Sequence, residues 1–181
     1  AVHGAEARGF GNPLRLRRAL DAGVRVVVAH CASVGSDVDL DAGPNGPARS
    51  SFELFARLMD EPRYHGLLYG DVSAVTQVNR SATVLQRLIE RTDWHARLLN
   101  GSDYPLPGVM PLVSVRRLID RGLLEAAAAP VLKAIRGYNP LLFDFVLKRN
   151  LRAGGKAFAP SVFHTRDFFL PRRTGGAASR N

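Results

Sequence analysis

Three polar residues, His30, Asp71 and Asp103, each follow a short apolar segment that has the length of a β-strand. They are separated by 41 and 32 residues, and each interval is long enough for one strand–helix repeat. In parallel α/β folds the carboxyl ends of the strands line the active site. We therefore expect these three side chains to meet at one edge of a sheet.

Imidazole and carboxylate groups are typical ligands of zinc and related divalent metals. A bound metal lowers the pKa of water to about 7, and a nearby carboxylate can accept the proton. His30 and Asp103 suit that chemistry, whereas Asp71 is expected to be structural. A catalytic zinc site uses about three protein ligands, so at least one more must come from elsewhere.

Other reactive side chains have simpler interpretations. Cys31 beside His30 and Ser102 beside Asp103 do not form dyads if neighbouring strand residues point to opposite faces. Cys31 is instead expected to be a small buried residue. Three histidines are expected to be solvated: His65, His95 and His164. Four aromatic or aliphatic residues are expected to belong to the core: Trp94, Leu142, Phe143 and Phe145.

The elements that would position these residues alternate along the chain. Pro13 to Gly23 is predicted to be a helix, and residues 35–49 a loop rich in Gly, Asp, Pro and Asn. Ser50 and Glu53 have the spacing of a capping box for the next helix. Strands are predicted at 24–29, 66–72 and 97–101, and helices at 50–59, from 81, at 112–120, at 130–136 and from 139.

Strands that alternate with helices indicate an α/β fold with a parallel sheet. An open doubly wound sheet and a barrel are both compatible with this order. No G-x-G-x-x-G follows a predicted strand and no P-loop is present, so a dinucleotide or nucleotide triphosphate site of those types is not indicated.

Four segments resemble motifs of the amidohydrolase superfamily. The segment G-S-D-Y-P around Asp103 is similar to the eighth-strand motif, and it is the most specific of the four. The others resemble the sixth-strand histidine motif, the seventh strand and the start of the helix after the barrel: VVVAHCAS at 26–33, LYGDVSA at 68–74 and YNPLLF at 138–143.

The resemblance implies the C-terminal half of a (β/α)8 TIM barrel, with strands 6–8, their flanking helices and C-terminal helices. His30 would be a metal ligand, and Asp103 both a metal ligand and the general base. The first-strand H-x-H pair of the family has no counterpart, so the remaining ligands are expected upstream of Ala1. Residues 1–151 would be barrel and 152–181 a C-terminal extension that is disordered from 175.

The implied function is metal-dependent hydrolysis of a small organic substrate, with zinc as the expected divalent metal. A metal-dependent decarboxylase on the same scaffold, a degenerate barrel and a non-catalytic basic binding module are the alternatives. The net charge of +9 allows a nucleic-acid partner, but the scattered arginines without interleaved aromatic residues disfavour it.

The remaining expectations concern the environment of the protein. A single cysteine excludes an internal disulfide framework and fits the cytoplasm. No run of about 18 apolar residues is present, so no membrane span is predicted. Half a barrel would leave unpaired strand edges, which predicts a homo-oligomer or an aggregation-prone chain.

Overall fold

A three-stranded parallel sheet lies at the centre of this mixed α/β fold, in a computed structural model that describes residues 11–170. Strand β1 is Val26–Val28, and the second and third parallel strands are β4, Leu68–Asp71, and β5, Leu98–Leu99. The order is β1-β4-β5, so strands that follow one another in this set are neighbours. The parallel sheet expected from the sequence is therefore confirmed, and the predicted disordered tail lies outside the described residues.

Strand β1 is less buried than the sequence predicts. Its residues are all valine, which favours a strand buried on both faces. Yet Val27 is 40% exposed, because β1 pairs only with β4 within the described residues. Likewise β5 pairs only with β4 in this part of the chain, so both outer strands are edges of the sheet as described.

A β-hairpin occupies the segment that the sequence predicts to be a loop. Strand β2, Ser36–Val38, pairs antiparallel with β3, Ala48–Ser50. Between them, Asp39 accepts two hydrogen bonds from the guanidinium of Arg57. The prediction failed here because Gly, Asp and Pro mark the connection, whereas cross-strand pairing forms the flanking strands.

Helices precede, separate and follow the three parallel strands along the chain. The sequence places them correctly to within a few residues, except that several turns are 3-10 helices. The α-helices are α1 Arg17–Asp21, α2 Ser51–Met59, α3 Ala82–Glu90, α4 Val115–Asp120, α5 Ala129–Tyr138, α6 Pro140–Asn150 and α7 Arg166–Phe169. The 3-10 segments include Pro13–Leu16, Leu40–Ala42, Pro62–Tyr64, Thr92–Arg97, Leu106–Gly108, Ala126–Ala128 and Pro160–Phe163.

Helix α2 connects β1 to β4 and buries the apolar face that its spacing predicts, including Phe52 and Phe55. The predicted capping box does not form, because the Ser50 side chain makes no cap hydrogen bond. Ser50 is already paired with Ser36 in the hairpin, and the hydroxyl of Ser51 donates to Asp37 instead.

Of the three residues of helix α6 that the sequence predicts to be core, Phe143 is fully buried, whereas the other two are partly exposed. The amino terminus of the helix is as predicted, because the side chain of Asn139 accepts a hydrogen bond from the backbone of Leu142. However, Leu142 is 46% exposed and Phe145 39% exposed. The residues of α6 that are buried are Phe143, Asp144, Leu147 and Lys148.

Residues 152–170 pack onto the same core as the sheet. The carbonyl of Val162 accepts a 2.8 Å hydrogen bond from the backbone of Asn100, just beyond β5. Val162 and Phe158 are buried within the cluster that also contains Leu98. Within residues 11–170, every helix is too short or too polar to cross a membrane.

Candidate functional site

The carboxyl end of β1 continues directly into a left-handed turn. His30, Cys31 and Ala32 have φ angles of 54°, 51° and 49°. Residues other than glycine pay roughly 1–2 kcal/mol each for that conformation. Such strain persists only where the surrounding structure holds it, and it is concentrated at functional sites.

The same conformation recurs at the ends of the other two parallel strands. Ala74 follows β4 with a φ of 53°, and Asp103 follows β5 with a φ of 55°. These two residues and the three of the β1 turn are all the non-glycine residues with positive φ in the part of the chain that the structure describes. The backbone strain is thus confined to the edge of the sheet where the sequence predicts the site.

A chain of hydrogen bonds fixes the ring of His30. The Ser73 hydroxyl donates a 2.9 Å hydrogen bond to the Asp71 carboxylate, whose other oxygen accepts from the Ser73 backbone at 2.5 Å. The hydroxyl also lies 2.7 Å from Nδ1 of His30. Because a carboxylate only accepts, the Ser73 proton points to Asp71 and the hydroxyl accepts from the ring; in the neutral ring Nδ1 therefore carries the proton and Nε2 the lone pair.

The free nitrogen of His30 faces Asp103. Nε2 lies 3.9 Å from Oδ2 of Asp103, and the two side chains are 28% and 29% exposed. That distance is too long for a direct hydrogen bond. Two metal–ligand bonds of about 2.1 Å span up to about 4.2 Å, so one ion could contact both atoms. The two predicted metal ligands are therefore brought together, and Asp71 supports His30 from behind.

The pair does not make a complete site by itself. Among residues 11–170, no three His, Cys, Asp or Glu side chains lie close enough together to bind a metal ion. The Asp71 carboxylate, the third polar residue at the strand ends, accepts from the backbone and hydroxyl of Ser73. The residues present thus fit a metal only as two of its ligands.

Close packing between β4 and β5 depends on glycine at one position. A Cβ atom on Gly101 would lie 2.8 Å from Oδ1 of Asp71, which is closer than such atoms approach each other. The absence of a side chain therefore lets the end of β5, which leads into Asp103, pass beside the Asp71 carboxylate.

A buried ion pair lies beneath this edge, and the sequence analysis did not anticipate it. The ammonium of Lys148 donates to Oδ2 of Asp144 and to the carbonyl of Gly101, both at 2.6 Å. Their side chains are 0% and 4% exposed. Burial lowers the pKa of Lys148 and raises the pKa of Asp144, against the mutual attraction of the pair.

One signal in the sequence could have indicated this pair. Asp144 and Lys148 are four residues apart on a helix, where opposite charges face each other. Phe143 and Leu147, one position before each of them, are apolar, so the charged pair shares the buried face of α6.

Cys31 and His95 are both buried. The burial of Cys31 agrees with the sequence prediction, whereas the burial of His95 contradicts it. Cys31 is fully buried and its thiol donates to the carbonyl of Asp71 at 3.3 Å; burial raises its pKa, so it is not a thiolate nucleophile. His95 was expected to be solvated but is 2% exposed, with Nε2 3.1 Å from the carbonyl of Leu88 and Nδ1 accepting from the backbone of Ala159. Burial is the main cause that lowers the pKa of His95.

Within residues 11–170, Arg80 is one of two cations whose charge interacts with Asp103; the other is Lys148. The Nε of Arg80 is shielded from solvent without a hydrogen-bond partner among the described residues. Burial lowers the pKa of Arg80, and the Asp103 carboxylate opposes that effect. The predicted base is thus within electrostatic reach of a positive charge that it does not pair with directly.

Comparisons with protein families, with curated proteins and with solved structures found no match for this chain.

Proposed function

We propose that the chain forms the C-terminal part of a (β/α)8 barrel in a metal-dependent hydrolase. Strands β1, β4 and β5 would be the sixth, seventh and eighth strands of that barrel. Their consecutive order and parallel direction support this assignment. Among residues 11–170 the outer sides of β1 and β5 have no partner strand, and this is where the neighbouring strands of a closed barrel would lie.

The observation that carries the proposal is the relation between His30 and Asp103. A lone pair on Nε2 faces a carboxylate oxygen at 3.9 Å, at the carboxyl ends of two parallel strands. The relay through Ser73 to Asp71 holds the ring in the tautomer that binds a metal. Orientation of a histidine by a hydrogen-bonded partner of this kind is typical of metal sites.

The two residues would have different roles. A divalent metal such as zinc, when bound, would polarise both the water and the scissile carbonyl. His30 would bind through Nε2 as a neutral ligand. Asp103 has two oxygens, so one could bind the metal while the other accepts a proton from the attacking water. Arg80 could then attract negative charge on the substrate toward Asp103.

The test is metal content, measured by elemental analysis in this chain and in a longer chain extended upstream. We expect about one equivalent of metal in the longer chain, and loss of that metal in His30→Ala and Asp103→Asn. Asp120→Asn is the matched control, because Asp120 is an exposed carboxylate whose one ion pair among residues 11–170 is with Arg116. The absence of metal from both chains, under zinc-replete conditions, would contradict the proposal.

Activity separates hydrolysis from the decarboxylation alternative. Amide, ester and lactone substrates should be cleaved by the metal-loaded longer chain, and cleavage should disappear with Asp103→Asn. Release of carbon dioxide from carboxylate substrates, without hydrolysis of any of the three bond types, would instead favour a decarboxylase.

A further inference from the structure

A large cavity lies away from the His30–Asp103 pair. It is enclosed by the segment after β5, by α4 and by α5, with one wall from the start of α6, and its volume is about 820 Å³. Cavities of 300–1,000 Å³ are typical of small-molecule sites. The side chains and backbone that line it are those of Gly108, Met110, Pro111, Val113, Ser114, Val115, Arg116, Ile119, Asp120, Ala129, Lys133, Arg136, Gly137 and Phe143.

The walls of the cavity are mainly apolar. Met110 contributes a side chain that is 68% exposed, and Phe143, which also lines the cavity, is fully buried. Apolar surface that remains open to solvent in a concave site gains free energy when a ligand covers it. The cavity is therefore suited to an apolar body rather than to a highly polar one.

The charged residues that line the cavity carry more positive than negative charge. Arg116 and Asp120 lie 3.6 Å apart and compensate each other. Lys133 and Arg136 also line the cavity, and within the described residues neither has a carboxylate within 4.0 Å. The cavity thus presents two positive charges without counter-ions.

Arg136 is the more restrained of these two cations. Its guanidinium donates to the carbonyls of Val113 at 2.9 Å and Val109 at 3.4 Å, and it stacks 4.8 Å from the centre of the Phe143 ring. Burial lowers the pKa of Arg136. A partly desolvated cation held in place without a counter-ion favours an anionic group beside it.

We propose that this cavity binds an organic carboxylate with an apolar body. The carboxylate would pair with Arg136 and Lys133, and the apolar body would lie against Met110, Ile119 and Phe143. Charge complementarity favours this ligand over a neutral one, and the volume of about 820 Å³ lies in the range that small molecules occupy. The site shares no residue with the proposed metal site, so neither proposal depends on the other.

The chain offers a direct probe, because its two methionines occupy opposite environments. Met110 lines the cavity, whereas Met59 is fully buried in the core. With ¹³C-methyl methionine, titration with octanoate should shift the Met110 signal and leave the Met59 signal in place. The signals are assigned with Met110→Leu, and 0.15 M salt screens non-specific attraction to the basic surface.

The matched ligand is 1-octanol, which has the same chain without the charge. We expect octanoate to bind at least about tenfold more tightly, as for loss of one charge-assisted hydrogen bond. Lys133→Gln and Arg136→Gln should each weaken octanoate binding about tenfold. Lys133 is exposed, so its variant should fold even if Arg136→Gln does not. Arg15→Gln, at an exposed arginine outside the cavity, should have no effect.

Three results would overturn the proposal. The first is an unchanged Met110 signal at saturating octanoate. The second is equal binding of octanoate and octanol, or octanoate binding that is insensitive to Lys133→Gln. The third is a dimer in sedimentation velocity that Met110→Asp dissociates, which would mean that a second copy of the chain covers the cavity.

Discussion

Lys148 donates a 2.6 Å hydrogen bond from Nζ to the carbonyl oxygen of Gly101, two residues before Asp103. The ammonium is fully buried and also binds Asp144, one helical turn earlier in α6. A single buried cation therefore ties the helix to the end of the strand that leads into the predicted base. Removal of the Lys148 ammonium should lower the stability of the protein and disturb the backbone that leads into Asp103.

We expect Lys148→Met to lower the free energy of unfolding by about 3–5 kcal/mol, because it leaves the Asp144 carboxylate buried and unpaired. Urea denaturation measures the loss. Replacing both partners, as Lys148→Met with Asp144→Leu, should recover most of it, since no buried charge remains. Arg116→Met breaks an exposed pair of the same spacing and should cost less than about 1 kcal/mol.

Ser73→Ala should change which ring nitrogen of His30 carries the proton. In the unmodified chain the Ser73 hydroxyl accepts from Nδ1, so nitrogen NMR of the neutral ring should find the proton there. Without the hydroxyl that preference should be lost, and if the metal site exists its affinity should fall about 10–100-fold. A proton on Nε2 in the unmodified chain would contradict the relay. Ser102→Ala, next to Asp103, is the control.

Ala32→Gly should stabilise the protein by about 0.5–1 kcal/mol. Ala32 adopts a left-handed φ of 49°, and glycine removes that strain at the cost of greater freedom in the unfolded chain. Thermal and urea unfolding would detect the gain. The control is Ala22→Gly at an exposed position with a φ of −82°, where glycine should destabilise instead. Loss of stability in Ala32→Gly would mean that the turn is not left-handed.

The burial of His95 predicts a pH dependence of stability. The folded pKa of His95 lies below the unfolded value of about 6.5. The stability that the protein gains from a buried, neutral His95 is therefore fully present above pH 6.5 and is lost as the pH falls toward the folded pKa. Stability should therefore decrease from pH 7.5 to pH 5, measured by urea midpoints. His95→Gln should flatten that slope, whereas His65→Gln, at an exposed position, should not.

The sequence predicts the parallel sheet and the meeting of its polar ends because both follow from local patterns. Three valines mark β1, and the intervals between His30, Asp71 and Asp103 match the βα repeat. The amino terminus of α6 is also predictable, because Asn139 before Pro140 is a strong capping signal.

Other features depend on tertiary contacts that no local pattern encodes. The left-handed turn at His30 contains no glycine, so its conformation has no sequence signal. His95 lies in a short segment between α3 and β5, and it is covered by a distant part of the chain, where the backbone of Ala159 donates to Nδ1 and the ring of Phe158 lies 5.7 Å from the imidazole. The prediction that Leu142 and Phe145 are core is wrong because the pair of Asp144 and Lys148, which takes the buried face, looks like a solvated pair in sequence.

Helix α6 connects two parts of the molecule that otherwise share no residue. Phe143, near its start, forms a wall of the large cavity, and Lys148, just over one turn later, holds Gly101 at the end of β5. Phe143 and Lys148 are five residues apart on one continuous helix, so their positions are fixed relative to each other by its backbone hydrogen bonds. Helix α6 is therefore a shared wall, with the cavity against its first turn and the end of β5 tied to its third.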